Sequence, residues 1–250
     1  MEGPQIARSS IAAVDADAEV RPNRPISMPG GDIMRVAGDY QANGYTLIEQ
    51  LVPAEVGRAF LRQLKADIEG SGHSLERLVQ PSPLLNRPSV ELYGYHYRPM
   101  LMFLWALTPT MCQLTGRDLL PSYDYLRIYR RGDICRVHTD RPSCEYSLSL
   151  TLDYSDGLSW PLEIGTERLR EPEHKARETF RGSASVALPM EPGDAILYEG
   201  VFHRHGRTVA NPNLWSAHLF LHWVERGGPF AEFAFDGRPE FVEPVTLAFA

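Results

Sequence analysis

The chain of 250 residues is 43% hydrophobic and 23% charged, which matches ordinary globular usage and argues against general disorder or a fibrous repeat. Its net charge of −7 and pI of about 5.6 disfavour non-specific binding to nucleic acid or to anionic membranes. The three cysteines, Cys112, Cys135 and Cys144, have no C-x-x-C spacing, so neither a disulfide framework nor a structural zinc site is indicated.

Residues 1–34 are rich in Ala, Asp, Pro and Gly and have no sustained hydrophobic period. This composition predicts a mobile leader over residues 1–34, followed by a single domain over residues 35–250. The segment lacks the charged start and apolar core of a secretory signal, and no apolar run approaches the ~18–20 residues that span a bilayer. The sequence therefore predicts a cytoplasmic protein without a membrane partner.

Two helices are predicted in the first half of the domain. A short strand near Tyr45–Ile48 leads into an amphipathic helix over Ala54–Glu69, whose apolar residues repeat on one face. A second helix fits Pro99–Thr115, and we expect Pro109 to kink or split it, because proline removes a helical hydrogen bond.

Beyond Leu119 the pattern changes to short alternating or aromatic runs separated by Gly, Pro and Asp. Many short strands behind one or two helices predict a mainly β domain, a sandwich or jelly roll with supporting helices packed on one face. The charged run Arg168–Arg181 is predicted to be a solvated loop. The predicted strands are Ser122–Arg130, Glu145–Tyr154, Pro161–Gly165, Ser183–Leu188, Asp194–Tyr198 and Trp215–Val224.

A possible metal site begins with His138 and Asp140, which lie one residue apart before an alternating stretch. On an extended backbone, residues i and i+2 point the same way, so both side chains can reach one ion. Further along, a Pro-Gly-Asp turn and a strand precede His203 and His205. Two imidazoles and one carboxylate on one face of iron(II) leave three positions open, which is the ligand set of non-haem oxygenases.

In these stretches the chain resembles the iron(II)/2-oxoglutarate-dependent oxygenases, particularly their prolyl-hydroxylase-like branch. The resemblance rests on "HTD" at His138–Asp140, "EPGDAILYEG" at Glu191–Gly200, the histidine loop, and "WSAHLFLHW" at Trp215–Trp223. It implies a double-stranded β-helix and a dioxygenase that uses iron(II), 2-oxoglutarate and dioxygen. Such an enzyme hydroxylates a small molecule or a protein side chain and releases succinate and carbon dioxide.

The resemblance also implies which residues hold the metal. The spacing "YxGxxxxHWR" of related sequences places the second histidine ligand at His205, so the implied catalytic ligands are His138, Asp140 and His205. His203 is kept as the alternative, and otherwise lies beside the ligands or faces solvent. His218, His222 and Trp223 are predicted to be core or packing residues.

The binding site for 2-oxoglutarate departs from the family pattern. Relatives anchor its far carboxylate with a basic residue about ten positions past the last histidine, where this chain has Leu214. Burying a carboxylate without a cation is costly, so another cation must replace the missing one. We favour Arg127, on the strand before His138, with Arg207 and Arg141 as rivals.

Two further residues match family contacts to 2-oxoglutarate: Tyr129, at the position of a phenol donor, and Ser216, at that of a small hydroxyl partner. Two other readings stay open. One is a jelly-roll binding module without turnover, favoured by Leu214, and the other is a cupin-like metal enzyme that uses no 2-oxoacid. The sequence identifies neither the substrate nor the oligomeric state.

Overall fold

The computed structural model describes residues 24–27, 33–173 and 175–248. Short 3-10 turns lie at Leu75–Leu78, Pro142–Cys144, Ala231–Gly237 and Pro239–Val242. In chain order the longer elements are β1 (Arg24–Ser27), β2 (Ile33–Ala37), α1 (Tyr40–Asn43), β3 (Tyr45–Glu49), α2 (Ala54–Gly70), β4 (Val79–Gln80), β5 (Ser89–Tyr93), α3 (Pro99–Thr115), β6 (Leu119–Arg130), β7 (Cys135–His138), β8 (Tyr146–Tyr154), β9 (Leu162–Gly165), β10 (Ser185–Leu188), β11 (Ala195–Tyr198), β12 (His205–Arg207) and β13 (Trp215–Glu225).

The strands form two antiparallel sheets that face each other. The major sheet has nine strands in the order β1-β2-β3-β11-β8-β13-β6-β5-β4, and the minor sheet has four in the order β10-β9-β12-β7. Apolar residues of both sheets meet between them, for example Ile164 and Ile196. The helices pack on the other side of the major sheet, so the predicted mainly β jelly roll with helices on one face is confirmed.

Strand alternation gives the major sheet two different faces. On β8, Leu148, Leu150 and Leu152 belong to the apolar core that includes α2 and α3. The alternate residues of the same strand, among them Ser147 and Ser149, point towards the minor sheet. The space between the sheets is therefore lined on this side by polar groups, although almost every residue of β8 is buried.

The predicted helices and strands are confirmed in place, with boundaries shifted by a few residues at most. Helix α3 runs unbroken across Pro109, so of the expected kink or split the split does not occur. The hydroxyl of Thr108 donates to the carbonyl oxygen of Leu104 at 2.8 Å, one turn back in this helix. Sequence analysis did not list β1, β2, β4 and β5 at the two ends of the major sheet, nor β7 and β12 of the minor sheet, where His205 was expected in a loop.

The predicted mobile leader, residues 1–34, lies largely outside the described residues and stays a prediction there. Within it the structure places β1 and the start of β2. The charged run at 168–181 contains no helix or strand in its described residues, but its Arg177 pairs with Val137 of β7 through a backbone bridge. None of the described helices is long and apolar enough to cross a membrane.

Candidate metal centre

His138, Asp140 and His205 meet between the sheets. His138 ends β7 and His205 begins β12, and the two residues are direct partners across these antiparallel strands. The Nε2 atoms of His138 and His205 lie 3.6 Å and 3.4 Å from the same oxygen, Oδ1 of Asp140. The structure thus brings together the three residues that sequence analysis selected, from positions far apart in the chain.

Backbone carbonyls fix the orientation of both imidazoles. Nδ1 of His138 lies 2.7 Å from the carbonyl oxygen of Arg136, and Nδ1 of His205 lies 2.9 Å from that of His203. A carbonyl oxygen only accepts hydrogen bonds, so each Nδ1 carries the proton. Each Nε2 then presents its lone pair towards Asp140, as a metal ligand requires.

Asp140 is held from the opposite side. Its backbone N–H donates to the carbonyl oxygen of Gly200 at 2.8 Å, and its Oδ2 accepts a hydrogen bond from Ser147 Oγ at 2.9 Å. Ser147 Oγ also lies 3.0 Å from Nδ1 of His222. A Cβ atom at Gly200 would collide with both Asp140 Oδ2 and Ser147 Oγ, so a glycine is needed there. These contacts occupy Oδ2 and leave Oδ1 facing the histidines.

The charges of the cluster suit a cation. Burial and the neighbouring His205 lower the pKa of His138, so its imidazole is neutral at neutral pH. Burial acts to raise the pKa of Asp140, but its interactions with His205 and His138 hold that pKa well below the usual value. The site therefore places the ionised Asp140 carboxylate beside the uncharged His138 imidazole, and this negative charge suits a positive partner.

The donor set and spacing fit a first-row transition metal. The three ligand atoms lie within 4.8 Å of one another. Adjacent ligands around an ion with bonds of ~2.1 Å are roughly 3 Å apart, so small rotations of the side chains would close the site. Two imidazoles and a carboxylate on one side match the facial set of non-haem iron sites.

His203 is outside this cluster. Its side chain is fully buried, its Nδ1 lies 2.9 Å from the carbonyl oxygen of Gly165, and its ring packs edge-on against Tyr45. Its Nε2 points at Gly44, where a Cβ atom would approach to 2.5 Å. His203 therefore faces the turn before β3, whereas His205 faces the metal site.

Arg207 lies two residues beyond His205 on the same strand and is 1% exposed. One of its terminal nitrogens lies 3.5 Å from Ser149 Oγ and 3.5 Å from His218 Nδ1, and the guanidinium lies 5.0 Å from the centre of the Trp160 ring. In the part of the chain that the structure describes, its Nε has no hydrogen-bond partner and no carboxylate lies within ion-pair distance. Arg207 is thus a buried cation without an anion.

Arg127 is buried as well, but it already has a carboxylate. Its Nη2 and Nε atoms lie 2.6 Å and 3.1 Å from Oε2 of Glu91, and both side chains are buried. This pairing compensates the positive charge of Arg127, whereas Arg207 has no carboxylate within ion-pair distance among the described residues. The other rival, Arg141, has a side chain that is 58% exposed and lies over the Tyr123 ring.

Three other positions that the sequence analysis related to 2-oxoglutarate binding are Tyr129, Ser216 and Leu214. Tyr129 is fully buried, and its ring lies 5.7 Å from that of His218. Ser216 is buried on the same inner face, where its Oγ accepts a hydrogen bond from Asn211 Nδ2 at 2.9 Å. Leu214 is 59% exposed, so the family position of the basic residue lies outside the inner chamber.

Sequence analysis missed the roles of three residues that line the space between the two sheets. Ser147 and Glu91 were not singled out, and His222 was expected only to pack, although its Nδ1 reaches Ser147. Strand alternation would have placed Ser147 and His222 on the inner face. It could not have paired them, because the register of β8 against β13 is a tertiary feature.

No protein-family model and no curated relative matches the sequence. Solved structures do match the fold. The non-haem α-ketoglutarate-dependent carbocyclase SnoK from nogalamycin biosynthesis superposes with a TM-score of 0.57 at 11% identity, covering 75% of this chain and 81% of that one. HygX from Streptomyces hygroscopicus, solved with nickel, 2-oxoglutarate and hygromycin B, gives 0.55 at 11% identity, covering 74% and 84%.

A prolyl-4-hydroxylase from Pseudomonas putida superposes with a TM-score of 0.51 at 14% identity, covering 76% of this chain and 96% of that one. These matches include the prolyl-hydroxylase branch that the sequence motifs resemble. The chain therefore has the fold of the iron and 2-oxoglutarate-dependent oxygenases.

Proposed function

We propose that the protein is an iron(II)- and 2-oxoglutarate-dependent dioxygenase that hydroxylates a small molecule or a protein side chain. The observation that carries this proposal is the convergence of two oriented imidazoles on one ionised carboxylate, at Asp140. His138, Asp140 and His205 would hold the iron. Bound iron(II) together with 2-oxoglutarate supplies the activation of dioxygen, with succinate and carbon dioxide as products.

The chain's own residues orient this chemistry. The carbonyls of Arg136 and His203 fix the orientation of the two imidazoles so that each Nε2 is aimed at the ion, and Ser147 holds Asp140 in place. Such outer contacts typically change metal affinity 10- to 100-fold when they are removed, by the general behaviour of metal sites.

Arg207 would bind the far carboxylate of 2-oxoglutarate. It lies between the sheets on the strand that carries His205, and a dicarboxylate would provide the anion that it lacks. A guanidinium can grip a carboxylate with two parallel hydrogen bonds. The exposed Leu214 favoured a binding module without turnover, and this argument loses its force if Arg207 replaces the missing base.

The test compares two histidines that lie one residue apart. His205→Ala should lose both iron binding and succinate formation from 2-oxoglutarate, because it removes a ligand. His203→Ala is the matched control and should keep both, with thermal unfolding measured to verify that each variant folds. Retention of iron and turnover by His205→Ala, with their loss in His203→Ala, would show the ligand assignment to be wrong.

A further inference from the structure

A second cavity lies on the outer face of the major sheet, beneath α3. Asp124 on β6 pairs across the strands with Leu221, which belongs to the helix-side core, so its side chain points away from the metal centre. The 3-10 turns that follow β13 cover this part of β6. The cavity has a volume of about 60 Å³, which is room for roughly four water molecules.

Asp124 forms the polar floor of the cavity. The residue is 1% exposed, and neither of its carboxylate oxygens has a hydrogen-bond partner within the described ranges 24–27, 33–173 and 175–248. A buried carboxylate without a partner is costly, and burial raises the pKa of Asp124 to about 7. The neighbouring Gly94 leaves it space, since a Cβ atom there would overlap Oδ1. The carboxylate therefore lacks a positive partner.

Aromatic rings form the walls. Phe235 and Phe241 stack with ring centres 5.9 Å apart and planes 7° from parallel. Phe235 has a φ of 51°, a left-handed conformation that is unusual for a bulky residue, so the turn holds its ring over the cavity. Tyr95 and Trp105 also line the cavity and are 43% and 45% exposed, which leaves it open to solvent. The rest of the lining is Leu101, Leu104, Ser122, Tyr123, Asp236 and Arg238.

A cation already lies at the rim. The guanidinium of Arg238 is 5.8 Å from the centre of the Tyr95 ring, the range of a cation–π contact. Among the described residues it makes no hydrogen bond to Asp124. The aromatic rim thus accommodates the positive charge of Arg238. The Asp124 carboxylate below it has no hydrogen-bonded cation among the described residues.

We propose that this cavity binds an alkylated ammonium group, with Asp124 as the counter-ion and Tyr95, Trp105, Phe235 and Phe241 as the surrounding rings. Aromatic faces attract such cations, and quaternary ammonium ligands are commonly held in aromatic cages. Among the oxygen-bearing side chains of the lining, Asp236 lies 3.9 Å from Arg141 and Ser122 donates to the carbonyl oxygen of Phe233, so Asp124 is the lining carboxylate left for a cation among the described residues. The Asp124 side chain and the metal ligands lie on opposite faces of the major sheet, and Tyr123 of the lining stacks on His222 of the inner face with ring centres 4.6 Å apart.

The test titrates the full-length protein with choline, tetramethylammonium and a peptide that carries one trimethyl-lysine, using calorimetry. Choline binding without peptide binding assigns a free small cation, and the reverse assigns a protein side chain. Either result supports the site, and no binding of any probe up to about 10 mM would overturn it, since that limit corresponds to less than roughly 3 kcal/mol.

Variants separate the cavity from general surface attraction. Asp124→Asn keeps the shape of the side chain and removes an unpaired buried charge, so it should fold while weakening probe binding about tenfold or more. Trp105→Leu should weaken it similarly. The exposed Glu240→Gln, on the turn that carries Phe241, is the matched control and should bind normally. Equal weakening by Asp124→Asn and Glu240→Gln would refute the proposal, and unchanged succinate formation in Asp124→Asn would confirm that the two sites are separate.

Discussion

The two buried arginines between the sheets should respond in opposite ways to the same substitution. Arg207→Met and Arg127→Met both remove a guanidinium and keep much of its apolar stem, so packing against the neighbouring rings changes little. Arg127 is paired with Glu91, whereas Arg207 has no carboxylate partner in the described structure. Arg127→Met therefore breaks an ion pair inside the protein, and Arg207→Met removes a charge that would bind an anionic ligand.

The expected magnitudes follow from these environments. Breaking a buried pair leaves Glu91 uncompensated, which costs about 3–5 kcal/mol and lowers the melting temperature by roughly 6–20 °C in a protein of this size. Removing the Arg207 guanidinium leaves no buried carboxylate without its partner, so the ligand-free protein should be as stable as before or more stable. For 2-oxoglutarate the order reverses: losing the anchor of a buried carboxylate costs about 2–5 kcal/mol, or roughly 30-fold or more in affinity.

Two measurements on each variant check this reasoning. Thermal unfolding without ligands should separate Arg127→Met from the parent, and anaerobic titration of the iron-loaded proteins with 2-oxoglutarate should separate Arg207→Met. The reasoning is refuted if Arg207→Met binds 2-oxoglutarate normally. It is equally refuted if Arg127→Met alone loses that affinity while keeping its melting temperature.

Three smaller changes test the surroundings of the two sites. Ser147→Ala should weaken iron binding about 10- to 100-fold, because Asp140 loses the hydrogen bond to Oδ2, and equilibrium metal titration measures this. Gly200→Ala should also weaken iron binding because its methyl group meets Asp140, while the control Gly70→Ala, whose methyl group meets nothing among the described residues within 4 Å, should not. Burial raises the pKa of Asp124 from 3.8 to about 7, so the parent should lose up to about 4 kcal/mol of unfolding free energy relative to Asp124→Asn as the pH rises through that interval. Urea unfolding of both proteins near pH 5 and pH 8 covers the upper part of this interval and should show a loss of roughly 3 kcal/mol. A difference between the two proteins that stays constant with pH would contradict the prediction.

Much of the fold could be predicted because local patterns agree with tertiary burial. Strand β8 alternates apolar and polar residues along its length, and helix α2 carries its apolar residues on one face, so each shows a clear periodicity over many residues. The edge strand β4 could not be predicted, because its two residues are too few to show any period. Helix α3 continued through Pro109 because its apolar residues pack on the sheet, and tertiary contacts override the local penalty.

The candidate site was predictable only in part, for a similar reason. His138 and Asp140 could be joined by the two-residue spacing of an extended backbone, and His205 was added through a family resemblance. Alternation correctly placed Arg127 on the inner face. It could not reveal that Glu91, 36 residues earlier, comes to lie 2.6 Å from that guanidinium, because this contact depends on the pairing of β5 with β6.

A buried charge without a partner indicates a ligand site in this protein, whereas a buried charge that is paired within the protein does not. Between the sheets, Arg127 is neutralised by Glu91, and Asp140 faces the two histidines with which it would hold a metal ion. Arg207 and Asp124 are the contrasting cases, a cation inside the sandwich and an anion beneath the helices. They have opposite signs, but the major sheet separates them, so neither can serve as the counter-ion of the other. Each is compensated on its own side: an anionic ligand between the sheets would neutralise Arg207, and a proton or a bound cation would neutralise Asp124.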